Sequence, residues 1–167
     1  MKNSNFTVHL FLPATILAGL IFFFHSCKKD LCLNETCSKH GSSYSTKDYC
    51  FCTCNAGYEG AKCETESRTK FLGVYSFTEN CSPSGSKAYL LAIDTSSSAV
   101  NKINIFNIYN QGITVSATVS GATLTIASQA FGSNTISGSG TLGSTLSLTY
   151  AVNISGTNDN CSGTGTK

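Results

Sequence analysis

The sequence predicts a mainly β protein: a small disulfide-stapled module followed by an antiparallel β domain, closed as a barrel meander or packed as a sandwich. Three observations predict it. Six of the nine cysteines fall between Cys32 and Cys63, in a stretch with few apolar residues besides its tyrosines. Such a segment cannot bury enough surface to offset its chain entropy, so covalent staples must do so. Beyond residue 70 the apolar residues recur every second position, the signal of half-buried strands. Gly, Ser and Asn punctuate that half at short intervals, and no convincing amphipathic helix interrupts it.

Composition narrows the class. The chain of 167 residues has a net charge of +2, and only 12 % of its residues are charged. That is too neutral for electrostatic capture of nucleic acid. The cysteine content points to an oxidising compartment. Nine is odd, so one cysteine should have a different fate.

The N-terminus supplies that cysteine. From Leu10 to Phe24 the chain reads LFLPATILAGLIFFF, 15 residues without a charge. This suits a signal-peptide core and is short for a membrane span. Phe24-His25-Ser26-Cys27 follows. It resembles a bacterial lipobox of the looser kind found in Bacteroidetes lipoproteins, with Ser26 before the cut and Cys27 acylated. The other reading is an ordinary signal peptide with Cys27 free or in a disulfide. Parity favours lipidation, because removing Cys27 leaves eight cysteines that can all pair. Lys28-Lys29-Asp30 then reads as a solvated tether or a surface-export signal. Two or three acyl chains would hold a protein on a membrane durably where one would not.

Residues 32–64 resemble an EGF-like domain. The resemblance is carried by Cys52-Thr53-Cys54-Asn55-Ala56-Gly57-Tyr58-Glu59-Gly60-Ala61-Lys62-Cys63: a C-x-C, a Gly-aromatic pair, a further Gly, and eight residues between the last two cysteines. Gly57 and Gly60 permit turn dihedrals, and Tyr58 is expected to cover the bridge. The resemblance implies the pairs Cys32–Cys50, Cys37–Cys52 and Cys54–Cys63. His40-Gly41-Ser42-Ser43 departs from the family's usual run after the second cysteine, and the third cysteine comes late, at Cys50. Calcium-binding members carry several acidic residues before the first cysteine. Lys29-Asp30-Leu31 offers one carboxylate, so no calcium is expected. The crowded Cys50, Cys52 and Cys54 with His40 have soft-metal donors, but oxidation in an exported chain takes the sulfurs first, so no metal is expected either.

Residues 65–70 form a short charged linker. In the β domain, 71–167, Ile113 to Val119 and Leu146 to Ile154 alternate without a fault. Leu124 and Ile126 resume the pattern after Ser120-Gly121, a two-residue turn candidate, and Gly143-Ser144 is another. Further strands are expected over 71–78, 88–94, 103–109, 135–140 and 162–166. Eight such strands need closure or packing to protect their edges. The two remaining cysteines lie just beyond the first strand and just before the last, so a Cys81–Cys161 bridge would tie the ends of the sheet together. This half is similar to the C-terminal domains of many small Bacteroidetes lipoproteins that follow an EGF-like module. The likeness is carried by Phe71-Leu72-Gly73-Val74-Tyr75, Cys81, the 113–126 hairpin, Ser137-Gly138-Ser139-Gly140 and Leu148-Thr149-Tyr150. It implies no activity.

No catalytic residue is expected. The mature chain has one histidine, His40. The carboxylates after Glu64 are Glu66, Glu79, Asp94 and Asp159, and none stands in a recognisable catalytic context. Gly138-Ser139-Gly140 lacks the lysine and helix of a phosphate loop and reads as a bulge or a close backbone approach. The aromatics Tyr75, Phe77, Tyr89, Phe106, Tyr109, Phe131 and Tyr150 fill the core and rim or line a cavity. Asn34-Glu35-Thr36 and Asn153-Ile154-Ser155 have the form of glycosylation acceptors and read as turn and strand residues.

The domain order expected is thus a signal peptide over 1–26, a lipidated tether over 27–31, the EGF-like module over 32–64, a linker over 65–70 and the β domain over 71–167. The function expected is that of a non-catalytic surface lipoprotein without cofactors. Its membrane contact is through the lipid on Cys27, and its partner is a protein or surface glycan. The alternative is a small-ligand carrier with a lipocalin-like cavity, which needs an interior space of roughly 300 Å³ or more.

Overall fold

The computed structural model describes residues 32–33 and 36–167. The expected signal peptide, Cys27, its tether and the Asn34-Glu35 pair lie outside the described residues.

The N-terminal module has little secondary structure and many bridges. Strand β1 (Gly41–Ser45) pairs antiparallel with β2 (Cys50–Cys54), from Gly41 opposite Cys54 to Ser45 opposite Cys50. The four residues between them form the turn, held by Thr46 N–H to Tyr49 O at 2.8 Å. Disulfides join Cys32 to Cys50, Cys37 to Cys52 and Cys54 to Cys63, the pairs implied by the resemblance. The lateness of Cys50 has a structural reason: the extra residues build the β1–β2 hairpin, and Cys50 opens its returning strand. Strands β3 (Tyr58–Glu59) and β4 (Thr65–Glu66) add a second small ladder.

Residues 65–70, expected as a linker, are built into the fold. They comprise β4 and most of a 3-10 turn over Thr69–Phe71. Arg68 anchors them: its Nη1 donates to the carbonyls of Ser96, Ala99 and Lys102 at 2.8, 3.2 and 3.3 Å, and its Nε donates to Glu66 at 2.8 Å. The guanidinium reaches the carbonyls from Nη1 and the Glu66 carboxylate from Nε at the same time, a spread of donors that a lysine's single ammonium lacks. Lys70 pairs with Glu59 at 2.7 Å.

Eight strands follow: β5 (Gly73–Ser82), β6 (Gly85–Thr95), β7 (Lys102–Ile108), β8 (Ile113–Ser120), β9 (Thr123–Phe131), β10 (Asn134–Leu142), β11 (Leu146–Ile154) and β12 (Thr157–Thr166). Each pairs antiparallel with its neighbours in sequence, and β12 pairs with β5 from Asn160 opposite Ser82 to Thr166 opposite Ser76. The sheet is therefore a closed barrel and not a sandwich. Closure removes every free edge. Cys81 and Cys161 sit inside β5 and β12, facing each other across this seam, and are bridged. The sequence had suggested positions just outside those strands. Ladder hydrogen bonds extend β5 and start β12 earlier than the apolar pattern does.

Two turns differ from expectation. Ser120 pairs with Thr123, so the β8–β9 turn is Gly121-Ala122, with Gly121 at φ +55°. Leu142 pairs with Leu146, so three residues, 143–145, join β10 to β11. The first turn keeps its two residues but starts one position later, and the second is one residue longer, with the glycine in the turn in both.

Inward positions alternate with outward ones along the strands, except where the phase slips in β7 between Phe106 and Ile108 and in β9 beyond Ile126. The core is led by Phe71, Tyr75, Phe77, Leu91, Ile105 and Leu148, each worth ~1.5–3 kcal/mol on burial if apolar. An eight-stranded barrel is barely wide enough for its own side chains. Here the fit is managed with glycine. A Cβ on Gly163 would lie 2.6 Å from the Phe77 ring, and one on Gly138 would lie 2.5 Å from both Tyr150 Cβ and Thr149 O. Gly140 makes the same room for Leu148, with a 2.5 Å approach. The Gly138–Gly140 stretch is thus a close approach, and the β9–β10 register also shifts between Ile136 and Gly138.

Candidate functional site

The module and barrel meet at one end of the barrel. Gly57, at φ +90°, lies where a Cβ would strike Val100 and Asn101 in the β6–β7 loop. Phe71 is fully buried in the barrel core, and Tyr75 donates its hydroxyl to the Phe71 carbonyl at 2.7 Å. Of the other motif residues, Tyr58 lies flat on His40, with ring centroids 3.8 Å apart, and Gly60 leaves room for the Glu64 carboxylate. Its stacking partner is therefore the histidine.

Polar chemistry gathers inside the other end, formed by the β5–β6, β7–β8, β9–β10 and β11–β12 turns. Glu79 is 4 % exposed and Asp159 is 3 % exposed. Both point inward because each is two residues from a bridged cysteine: Glu79 precedes Cys81, and Asp159 precedes Cys161. Glu79 Oε2 accepts a hydrogen bond from Tyr89 at 2.7 Å and another from Tyr150. The Tyr89 hydroxyl in turn accepts the backbone N–H of Tyr109 at 3.0 Å. Tyr109 donates its own hydroxyl to Asp159 Oδ2 at 2.8 Å, and Ser84 Oγ lies 3.0 Å from that hydroxyl. Lys87 faces Glu79 across the β5–β6 ladder, but its Nζ sits 3.5 Å above the Tyr109 ring. The result is one hydrogen-bonded network from Tyr150 to Ser84.

Burial pushes the Tyr150 hydroxyl far above the usual tyrosine range, and the bond to Glu79 adds to it. Tyr89 is raised for the same two reasons. Tyr75 is pushed up to about 12 by burial alone. Burial works to raise Asp159 as well, but the hydrogen bonds from Ser84 and Tyr109, together with Lys87, outweigh it and hold the carboxyl below its ordinary value. The tyrosines are therefore hydrogen-bond donors, held protonated, and Asp159 is held as an acceptor.

Glu79 Oε1 is the exception among the described residues: it is buried and has no partner. Glu79, Cys81 and Cys161 lie within 4.8 Å of one another. The two sulfurs are joined as a disulfide and offer no thiolate, so this trio is not a metal centre. Of the remaining carboxylates, Glu66 is committed to Arg68 and Asp94 is exposed.

The outer wall carries two further features. A shallow groove of about 600 Å³ crosses β11, β12, β5 and β6, bordered by Thr78, Asn80, Ser86, Ser147, Ser162 and Thr164. Val74, Ala92 and Phe106 stand opposite one another across β5, β6 and β7, with Leu90 beside them. Val74, Leu90 and Phe106 are exposed.

The seven aromatics divide accordingly. Tyr75, Phe77, Tyr109 and Tyr150 are core, Tyr89 and Phe131 are half-buried against it, and Phe106 faces outward. The gathering of Glu79 and Asp159 was not foreseen. Strand parity with Cys81 and Cys161 was the available signal. No protein family matches the chain, and no curated protein matches it.

Proposed function

We propose that this chain is a membrane-anchored surface lipoprotein, in which an EGF-like spacer carries a non-catalytic β head for contact with a protein or surface glycan. The observation that carries the reading is the direction of the chain. Cys32, where the N-terminal segment enters, is bridged to Cys50 at the turn end of the β1–β2 hairpin. The opposite end of that hairpin leads to β3, β4 and the barrel. A module strung in this way, held by three bridges and joined to the barrel through Arg68, suits a stiff spacer.

The first-to-third, second-to-fourth and fifth-to-sixth bridges, with Gly57, Tyr58 and Gly60, support the EGF-like assignment. The hydroxyl-lined groove and the Val74–Ala92–Phe106 row support contact through the outer wall. The glycine-for-aromatic packing supports a filled interior over a lipocalin-like cavity. The internal pairing of Asp159 and of Glu79 Oε2 supports a bracing role for the carboxylates over a catalytic one.

The test is labelling with a palmitate analogue in a bacterium that acylates lipoproteins. The wild-type chain takes the label and Cys27→Ala does not; label that persists in the variant refutes the anchor. External protease on intact cells should remove the head, and a head that survives until lysis refutes surface exposure.

A further inference from the structure

The described part of the chain ends, on the N-terminal side, beside an exposed aromatic cluster. Tyr44 and Phe51 face each other across β1 and β2, with ring centroids 5.3 Å apart. Tyr49 precedes Cys50, and Leu33 follows Cys32, its bridge partner. Their exposures are 57 % for Tyr44, 48 % for Phe51, 74 % for Tyr49 and 78 % for Leu33. Elsewhere the same hairpin is Ser42, Ser43 and Thr53. A module with so little apolar residue therefore spends most of it, uncovered, at one end. Single exposed apolar residues need no explanation; Tyr44, Tyr49 and Phe51 on one hairpin, with Leu33 next to the Cys32–Cys50 bridge at its turn end, do.

We propose that this tip, formed by Leu33, Tyr44, Tyr49 and Phe51, seats in the interface of the lipid bilayer that anchors the chain. The inference rests on the lipoprotein reading of Cys27. Five residue steps separate Cys27 from Cys32, a reach of at most ~18 Å when fully extended. An acylated Cys27 lies at the bilayer surface, so Cys32 and Cys50 are held close to the headgroups. The tip is the part of the module that the tether brings there. Tyrosine suits that depth, since its ring prefers the acyl boundary and its hydroxyl prefers water. Lys47 and Asp48 cancel in charge at the turn, so seating relies on apolar contact and not on anionic lipid.

Contact at the tip does what a lipid alone cannot. An acylated cysteine by itself attaches the module to the bilayer at one point. Seating Tyr44, Tyr49 and Phe51 gives the spacer a second point of attachment. The β1–β2 hairpin then stands on the membrane, and the Glu79–Asp159 end of the barrel, opposite the module, is carried outward.

The natural chain contains no tryptophan, so a single one reports cleanly. Full-length Tyr49→Trp and Phe51→Trp, produced in an acylating host, are reconstituted in phosphatidylcholine vesicles with and without brominated acyl chains. Leu90→Trp on the barrel wall is the control. Both tip reporters should be blue-shifted and lose emission to brominated lipid, unchanged by added salt, while Leu90→Trp keeps its emission. The mass of the N-terminal peptide reports acylation at Cys27, and flotation reports membrane attachment. Acylated chains that float while neither tip reporter is quenched overturn the seating and leave the anchor standing; the tip then serves a protein partner or a second copy. An unacylated Cys27 overturns the anchor reading, and the seating with it. Two reporters guard against one substitution disturbing the hairpin.

Discussion

Tyr150 donates its hydroxyl to the same Glu79 oxygen that receives Tyr89, so two tyrosines from different strands share one carboxylate atom inside the barrel. This ties β11 and β6 to β5 independently of the ladder bonds. A buried carboxylate is expensive unless its lone pairs are met. The two hydroxyls offset that cost at Glu79 Oε2, while Oε1 stays buried without a partner.

Tyr150→Phe should therefore cost about 1–3 kcal/mol at neutral pH, since it removes one donor from a buried acceptor. The pH dependence carries a sharper signature. Tyr150 is raised above the ordinary value of 10.0, chiefly by burial. A raised folded value means that its contribution is complete below the unfolded value and is lost as pH rises beyond it. The gap between wild type and Tyr150→Phe should narrow above pH ~10, by at most ~1.4 kcal/mol per pH unit. Urea midpoints measured from pH 7 to 11 check both parts. A gap that widens with pH contradicts the assignment.

Asp159 predicts the opposite limb. Its carboxyl is held below the ordinary value of 3.8 by Ser84, Tyr109 and Lys87 acting against burial. A lowered folded value means that its contribution is complete above the unfolded value and is lost as pH falls. Asp159→Asn should be less stable than wild type at neutral pH, and the difference should fade in acid below pH ~4. Thermal unfolding at pH 6 and at pH 3 is the measurement. An Asn variant that tracks wild type at both values would mean that the Tyr109 and Ser84 contacts do not favour the charged form.

The glycine packing makes a paired prediction. A methyl on Gly138 would meet Thr149 O and Tyr150 Cβ at 2.5 Å. Part of that obstacle is backbone, which cannot step aside. Gly138→Ala should lower stability by ~1–3 kcal/mol or more, the usual cost of overpacking. A methyl on Gly143 meets nothing within 4 Å, so Gly143→Ala should stay within about 0.5 kcal/mol of wild type. Equal melting temperatures for the two variants would show that the β10–β11 interior has slack.

Much of this was legible in the sequence for a local reason. Alternation at Ile113 to Val119 and Leu146 to Ile154 identifies strands because side-chain direction has a period of two. The choice of barrel over sandwich was not legible, since it turns on whether β12 pairs with β5, between residues some 80 apart. The Glu79 network was hidden for a related reason. Parity with Tyr75, Phe77 and Cys81 put Glu79 inward, yet an inward carboxylate breaks the apolar-in pattern. What satisfies it comes from Tyr89 and Tyr150 on β6 and β11, whose hydroxyls converge only once the barrel closes. The turns missed by one residue, at Gly121 and Gly143, show how weakly glycine position sets register by itself.

The seam itself gives the last prediction. Cys81 and Cys161 close a span of 80 residues, and seven facing residue pairs join the same two strands. In the chain-entropy account a loop of that size contributes ~4–5 kcal/mol, by limiting the unfolded chain. The ladder, by contrast, acts on the folded state. Cys81→Ala with Cys161→Ala should therefore lower the unfolding free energy by roughly 2–5 kcal/mol, the upper end being the full chain-entropy value. It should also raise the urea m-value, because the freed unfolded chain exposes more surface. The barrel should nonetheless stay closed. Hydrogen exchange at the β12–β5 ladder amides, under conditions where the variant is folded, distinguishes the two roles. Protection that follows the lower global stability means the ladder holds the seam and the bridge adds stability. Protection lost at the seam alone, with β7 and β8 unaffected, would mean that the bridge holds β12 against β5 and that closure depends on it.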